Sequence, residues 1–251
     1  MIVIGGHKQK IRLISLVASL LLFCHQSQSN AKINDLDSSL DWGSDQVSLL
    51  LHDRPQLQSI VVKWNQVWNW LVNAFENTNE GIKIHWDASP VSSSGPYNAE
   101  SLWIEENKNV YIRVRRFYEN GSERTSEEVL FSVVFELNNV KYRDENLKAR
   151  TLAREGKISR DEYSRTIAKY EYLASQETGI FYRNVWTPYC VKANFNLNPH
   201  IWIIARDISF KQWLDQYPPD SFYPWQFYGK QYDIIHQQRD YSTHKTASPA
   251  L

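Results

Sequence analysis

Sulfur and net charge are both scarce in this 251-residue chain. It holds two cysteines and one methionine, and its 28 Lys and Arg are matched by 28 Asp and Glu. Two cysteines supply no disulfide framework, so the fold must rest on a packed core, which a chain of this length can bury. A balanced charge excludes a dedicated nucleic-acid binder, whose basic surplus would attract phosphates. An apolar fraction of 42% and an aromatic fraction of 14% exclude a disordered acidic or basic tail protein. With nine glycines the chain cannot be collagen-like. The seven histidines form no HxH or HxxxH pair, so a strong zinc pattern is absent and no cofactor is expected. No GxSxG, P-loop or GxGxxG motif occurs.

Long apolar runs are missing too. The longest uncharged, mostly apolar stretch is the run from Leu13 to Cys24 (LISLVASLLLFC), short against the ~20 residues of a membrane span. It follows Lys8, Lys10 and Arg12 and precedes Ser29-Asn30-Ala31, with small residues at the −3 and −1 positions. That layout is a secretory signal peptide over residues 1–31. Acylation at Cys24 is the rival, which the bulky Phe23 fits poorly; an uncleaved anchor is the third option. Cleavage leaves 25 basic and 28 acidic residues, a net charge of −3, and Cys190 as the lone cysteine. An exported protein, periplasmic or extracellular, with no integral membrane domain after cleavage and no nucleic-acid partner, is the expectation. Cys190, between Tyr189 and Val191, reads as an apolar filler.

Along the expected mature chain, residues 32–53 form a polar lead-in. From Leu57 to Phe75 apolar residues recur at steps of three and four, which predicts one amphipathic helix with Trp64 and Trp68 toward the core and Trp70 off it. Ile82, Ile84 and Trp86 alternate with Lys83, His85 and Asp87, a half-buried strand with His85 on the solvated face. SLWIEE and NVYIRVRR flank Asn107-Lys108 as a hairpin, with Arg113 and Arg115 together on one solvated face. Thr125 and Glu128 form a capping box ahead of the apolar run VLFSVVFELNNV. A helix over 144–154 stops at Gly156, and a second capping box, Ser159 to Glu162, opens a helix over 160–178 that Gly179 ends. Asp207 or Ser209 caps a short helix through Leu214. One α+β domain over 32–240 is expected, a small antiparallel or mixed sheet packed against several helices, with 241–251 as a loose tail.

The order of elements is a long helix, three strands, a buried helix, then a second helix, and the buried helix carries Phe135-Glu136-Leu137-Asn138-Asn139. In this order and this pentapeptide the chain resembles the zincin metallopeptidases of the gluzincin branch, over residues 80–178. There a helix bears HExxH: two histidines bind zinc, the glutamate polarises the attacking water, and a glutamate of a later helix is the third ligand. The resemblance implies that Glu136 stands where that base stands and Glu171 where the third ligand stands. Phe135 and Asn139 occupy the two histidine positions. Phenylalanine binds no metal and an amide binds zinc poorly, so the resemblance implies a degenerate site without zinc.

Two readings of this helix stay open. Glu128, Ser132, Glu136 and Asn139 fall within an arc of about 80°, which is either a solvated face or a stripe facing a cleft. Asn138 leaves the arc and needs a partner of its own. Glu171 sits at the edge of its helix's apolar face and calls for Arg183, Lys169 or Asn139 as partner. The functional expectation is a non-catalytic binding or structural domain, a pseudo-peptidase whose candidate cleft residues are Ser132, Asn138 and Asn139. The alternative is a hydrolase, peptidase or glycosidase, using Glu136 and Glu171 as acid and base or as metal ligands; in glycosidases such carboxylates stand about 5–9.5 Å apart.

Overall fold

The computed structural model of the chain describes residues 42–76, 82–91, 99–104, 108–118, 120–202 and 207–245. The expected leader over 1–31, Cys24 with it, and residues 246–251 of the expected tail lie outside these.

The chain opens with three short helical pieces: α1 (Trp42–Asp53), α2 (Gln58–Val61) and α3 (Asn65–Glu76), with a 3₁₀ turn at Pro55–Leu57 before α2. Half of the supposed lead-in is thus helix α1, which buries Val47, Leu50 and Leu51 against the core. The single helix expected from Leu57 to Phe75 is broken at Val62–Trp64. The break turns the Trp64 indole onto Tyr189, 5.6 Å between ring centroids, with the Lys192 ammonium 4.8 Å from its face. Trp70 is half-buried against the core rather than off it, its ring centroid 4.7 Å from that of Phe181.

The sheet has the order β1-β3-β2, with β1 (Lys83–Trp86) parallel and β2 (Ala99–Ile104) antiparallel to β3 (Asn109–Val114). Strands β2 and β3 pair antiparallel as the expected hairpin requires; Asn107 lies outside the described residues, and Lys108 takes φ +53°. Helix α1 closes the outer border of β1: the Trp86 amide donates to Gln46 Oε1 at 2.8 Å, and the Trp42 indole donates to the Ile84 carbonyl at 3.0 Å. His85 is half-buried rather than solvated, stacked on Tyr111 at 4.8 Å and met edge-on by Trp42 at 4.7 Å. Arg113 likewise leaves solvent to pair with Asp87 at 2.7 Å and with the buried Glu100 at 3.4 Å.

Helix α4 (Ser126–Val140) starts at the expected capping box and is buried on nearly every side. Helix α5 (Arg143–Arg154) ends at Gly156, whose φ of +69° lets the Lys157 amide return to the Leu152 carbonyl. Helix α6 (Arg160–Phe181) starts at the second capping box, but Gly179 does not end it. The helix runs on through a π-helical turn, Tyr182–Trp186, into α7 (Thr187–Ala193), and stops where Asn194 adopts a left-handed conformation. Gly179 is buried, so continuing the helix satisfies its amide without water. Helix α8 (Phe210–Leu214) is capped by Ser209, and α9 (Phe227–Lys245) carries helical backbone past the boundary expected at 240.

Two large apolar clusters result, beside a small third one of Phe135 and Ala174. One joins α1, α3 and the sheet to α4; the other joins α5, α6, α8 and α9. The architecture is therefore α+β, a small mixed sheet packed against several helices. Helix α1 approaches α3 so closely that a Cβ on Gly43 would lie 2.4 Å from the Val72 carbonyl oxygen. Gly43→Ala should lower the unfolding free energy by about 1–3 kcal/mol through overpacking. Urea unfolding measures this, and a loss below about 0.5 kcal/mol, the scatter of ordinary surface substitutions, contradicts the close approach.

Candidate functional site

Helix α4 carries five polar side chains into the interior, each at 4% exposure or less: Glu127, Ser132, Glu136, Asn138 and Asn139. The solvated-face reading is thereby corrected. The helix lies under the sheet on one side and against α6 on the other, leaving no face for water. Buried polar groups need partners, and these partners divide α4 into two ends.

At the N-terminal end, Glu127 Oε1 accepts hydrogen bonds from two buried indoles, Trp186 Nε1 and Trp202 Nε1, both at 2.8 Å. Nearby, the buried Arg124 donates to Ser132 Oγ at 2.8 Å and to the Glu128 and Arg115 carbonyls. Glu128 closes its cap and accepts the Tyr118 hydroxyl. Ser132 therefore serves the Arg124 cluster, two turns of helix from Asn139.

At the C-terminal end, Asn138 Nδ2 donates to Thr178 Oγ1 of α6 at 3.2 Å. Phe135, at the first histidine position of the resemblance, packs on Ala174 of α6 and on Tyr142. Contacts thus run in opposite order along the two helices, Glu127 to Trp186 and Asn138 to Thr178, so α4 and α6 lie antiparallel.

Beside this end opens a small cleft with room of about 50 Å³ for water-sized groups. Strand β2 gives it Ser101 and Trp103, and β3 gives Val110. Asn139 and Val140 come from α4, and Arg143, Asn146 and Arg150 from α5 at i, i+3 and i+7, one helical face. Tyr163, Ile167 and Glu171 come from α6, again along one face, and Gln231 comes from α9. The Arg143 guanidinium lies over Trp103, 3.2 Å from the ring centroid. Of the candidates drawn from the sequence, the cleft brings together Glu171 and Asn139. Glu136 is wholly enclosed at 0% exposure behind them, and Ser132 and Asn138 face other partners.

Glu171 has a partner the sequence analysis missed. Tyr223 Oη donates to Glu171 Oε2 at 2.5 Å, and the Tyr228 hydroxyl lies beside the same carboxylate. Both come from the C-terminal aromatic segment, about 50 residues away, at a separation no local spacing rule detects. Burial, and then the Glu171 charge, pushes both phenols well above their usual range. The same two causes raise Tyr217 to about 12. Cys190 is buried in the first cluster, as an apolar filler should be, and burial with the charge of Glu127 pushes its thiol up to about 12. Among the described residues no three His, Cys, Asp or Glu gather to hold a metal ion, and no helix is long and apolar enough to cross a membrane. Comparison with protein-family models, with curated proteins and with solved structures finds no match.

Two outcomes follow from these buried groups. Glu127→Ala leaves two indole N–H groups without an acceptor and should cost about 2–6 kcal/mol, from about 1–3 kcal/mol for each orphaned donor. Glu127→Gln keeps an acceptor oxygen and should cost clearly less; equal losses in chemical denaturation contradict the two-indole clamp. Raised folded-state values for Cys190 and Tyr217 make stability complete below their ordinary values of 9.0 and 10.0, and lost as pH climbs toward about 12. Unfolding free energy measured from pH 8 to 12 should decline across that window, and Cys190 should resist alkylation at pH 8 until the protein unfolds.

Proposed function

We propose that the chain is a non-catalytic binding domain whose ligand site is the cleft between β2, α4, α5, α6 and α9, on a degenerate zincin-like scaffold. One observation carries the reading. The positions that resemble the second zinc ligand and the third, Asn139 and Glu171, line one cleft, while Phe135 at the first is packed into the interior. An amide, a carboxylate committed to a tyrosine and a buried phenyl ring offer a metal no adequate set of donors. The amide and the carboxylate line a small, partly open recess that mixes polar and apolar side chains.

The hydrolase alternative needs Glu136 within reach of a substrate, and its complete enclosure disfavours that role. Glu136→Gln should therefore lower stability by about 1–3 kcal/mol, as expected for a change at a wholly buried carboxyl. The same variant should remove no peptide or glycoside hydrolysis. Turnover that disappears in Glu136→Gln at unchanged stability would instead establish the hydrolase. The basic, apolar and small-residue layout of the first 31 residues supports export, and N-terminal sequencing of the mature protein should begin next to Ala31.

A further inference from the structure

Acidic residues are missing from two stretches of a chain in which about one residue in nine is acidic. Residues 55–75 hold Lys63 as their single charge, and residues 178–202 hold Arg183 and Lys192, with His200. The two stretches meet in space. The Trp64 indole lies 5.6 Å from Tyr189 and under the Lys192 ammonium, and Trp70 packs on Phe181. Helix α7 ends at Asn194, whose left-handed conformation lets the Phe195 amide return to the Cys190 carbonyl at 2.9 Å. That turn folds Phe195 back onto Trp186 and Tyr189, at 5.7 and 6.3 Å, and still leaves it 39% exposed. Of the nine large apolar side chains exposed among the described residues, five belong to these stretches: Val62, Ile180, Val191, Phe195 and Leu197. Val62 stands two residues before Trp64, and Val191, 75% exposed, stands beside Lys192. Lys63, Arg183 and Lys192 are exposed too, and none of them forms an ion pair among the described residues. Beneath α7 the Glu127 carboxylate is 4% exposed and already accepts two indoles.

We propose that this face, the junction of α2 and α3 with α7 and the turn after it, docks on the surface of an anionic lipid bilayer. Val62, Val191, Phe195 and Leu197 enter the boundary between headgroups and acyl chains, and Lys63, Lys192 and Arg183 reach the lipid phosphates. Lysine and arginine carry their charge on a long apolar stem, so the stem lies along the inserted side chains while the cation stays in water. Trp64, half-buried under Lys192, adds an amphipathic ring of the kind that favours the membrane interface. A protein partner suits this face less well: protein interfaces are depleted in lysine, and here every charge is a cation. Each cation near an anionic membrane strengthens binding about fivefold, and salt screens it. None of these residues lines the cleft, so a lipid surface and a cleft ligand compete for no side chain.

The test uses the intact protein and vesicles of phosphatidylcholine, alone or mixed equally with phosphatidylglycerol. Both carry a trace of phosphatidylcholine with a photoreactive diazirine in its acyl chain, and adducts are mapped by mass spectrometry of the digested protein. Mapping separates this face from the apolar run within the first 31 residues. Adducts should fall on residues 62–64 and 191–197, about tenfold or more on the anionic vesicles, and decline as salt rises from about 0.05 to about 0.5 M. Lys63→Gln combined with Lys192→Gln should lower labelling of residues 191–197 about tenfold or more, and the paired arginine variant should keep it. Lys211→Gln, at an exposed site on α8, is the control that leaves labelling unchanged. Circular dichroism verifies that each variant is folded. Should the paired glutamine variant fail to fold, Val191→Ser, at a site 75% exposed, carries the same direction of loss. Equal labelling on the two vesicles, labelling at Phe117 or Ile234 as strong as at 191–197, or no labelling at all overturns the proposal. A dimer in sedimentation velocity that Val191→Ser dissociates, without lipid adducts on these residues, gives the face to a second copy of the chain and overturns it as well.

Discussion

Helix α4 has no face for water, and this constraint organises the molecule. An apolar helix enclosed by a sheet and a second helix is simple to stabilise; one that brings five polar side chains inside must be answered from its neighbours. Glu127 is answered by indoles of the segment beyond α6, Ser132 by Arg124, and Asn138 by Thr178. These partners fix the antiparallel setting of α4 against α6, and that setting brings Asn139 and Glu171 to the same cleft. Replacing the polar stripe by leucines would preserve burial but remove the contacts that choose one alignment among several.

The cleft forms where the two apolar clusters meet. The first is built on the sheet and α1, the second on α5, α6 and α9, and α6 contributes to both. Its buried side chains pass from Tyr163 near one end, through Glu171, to Phe181 at the other. Glu171 thus belongs at once to the tyrosine cluster of the C-terminal segment and to the recess beside α4. A group with both attachments is fixed by the second cluster and presented by the first.

Local signals were readable and long-range ones were not. Both capping boxes, the Ser209 cap, the hairpin and the alternation of β1 rest on spacings of two to four residues, and the structure has them. The mixed α+β architecture followed from their order. Periodicity failed where a tertiary contact overrode it. Trp64 breaks an amphipathic run to reach Tyr189, and a buried Gly179 lets α6 continue through a π-helical turn. The polar arc of α4 looks the same on a helical wheel whether water or protein lies over it, so burial could not be read from it. Two of the candidate residues meet at the cleft; its arginines on α5 and Gln231 on α9 were invisible, because no spacing connects helices 80 residues apart.

The small sheet also governs how copies of the chain can meet. A strand at a sheet's border ordinarily offers a row of amides and carbonyls onto which another molecule can add a strand, the first step toward filaments. On the β1 side two of those groups are already occupied, the Trp86 amide by Gln46 and the Ile84 carbonyl by the Trp42 indole. The β1 border of the described sheet is therefore partly closed to an added strand.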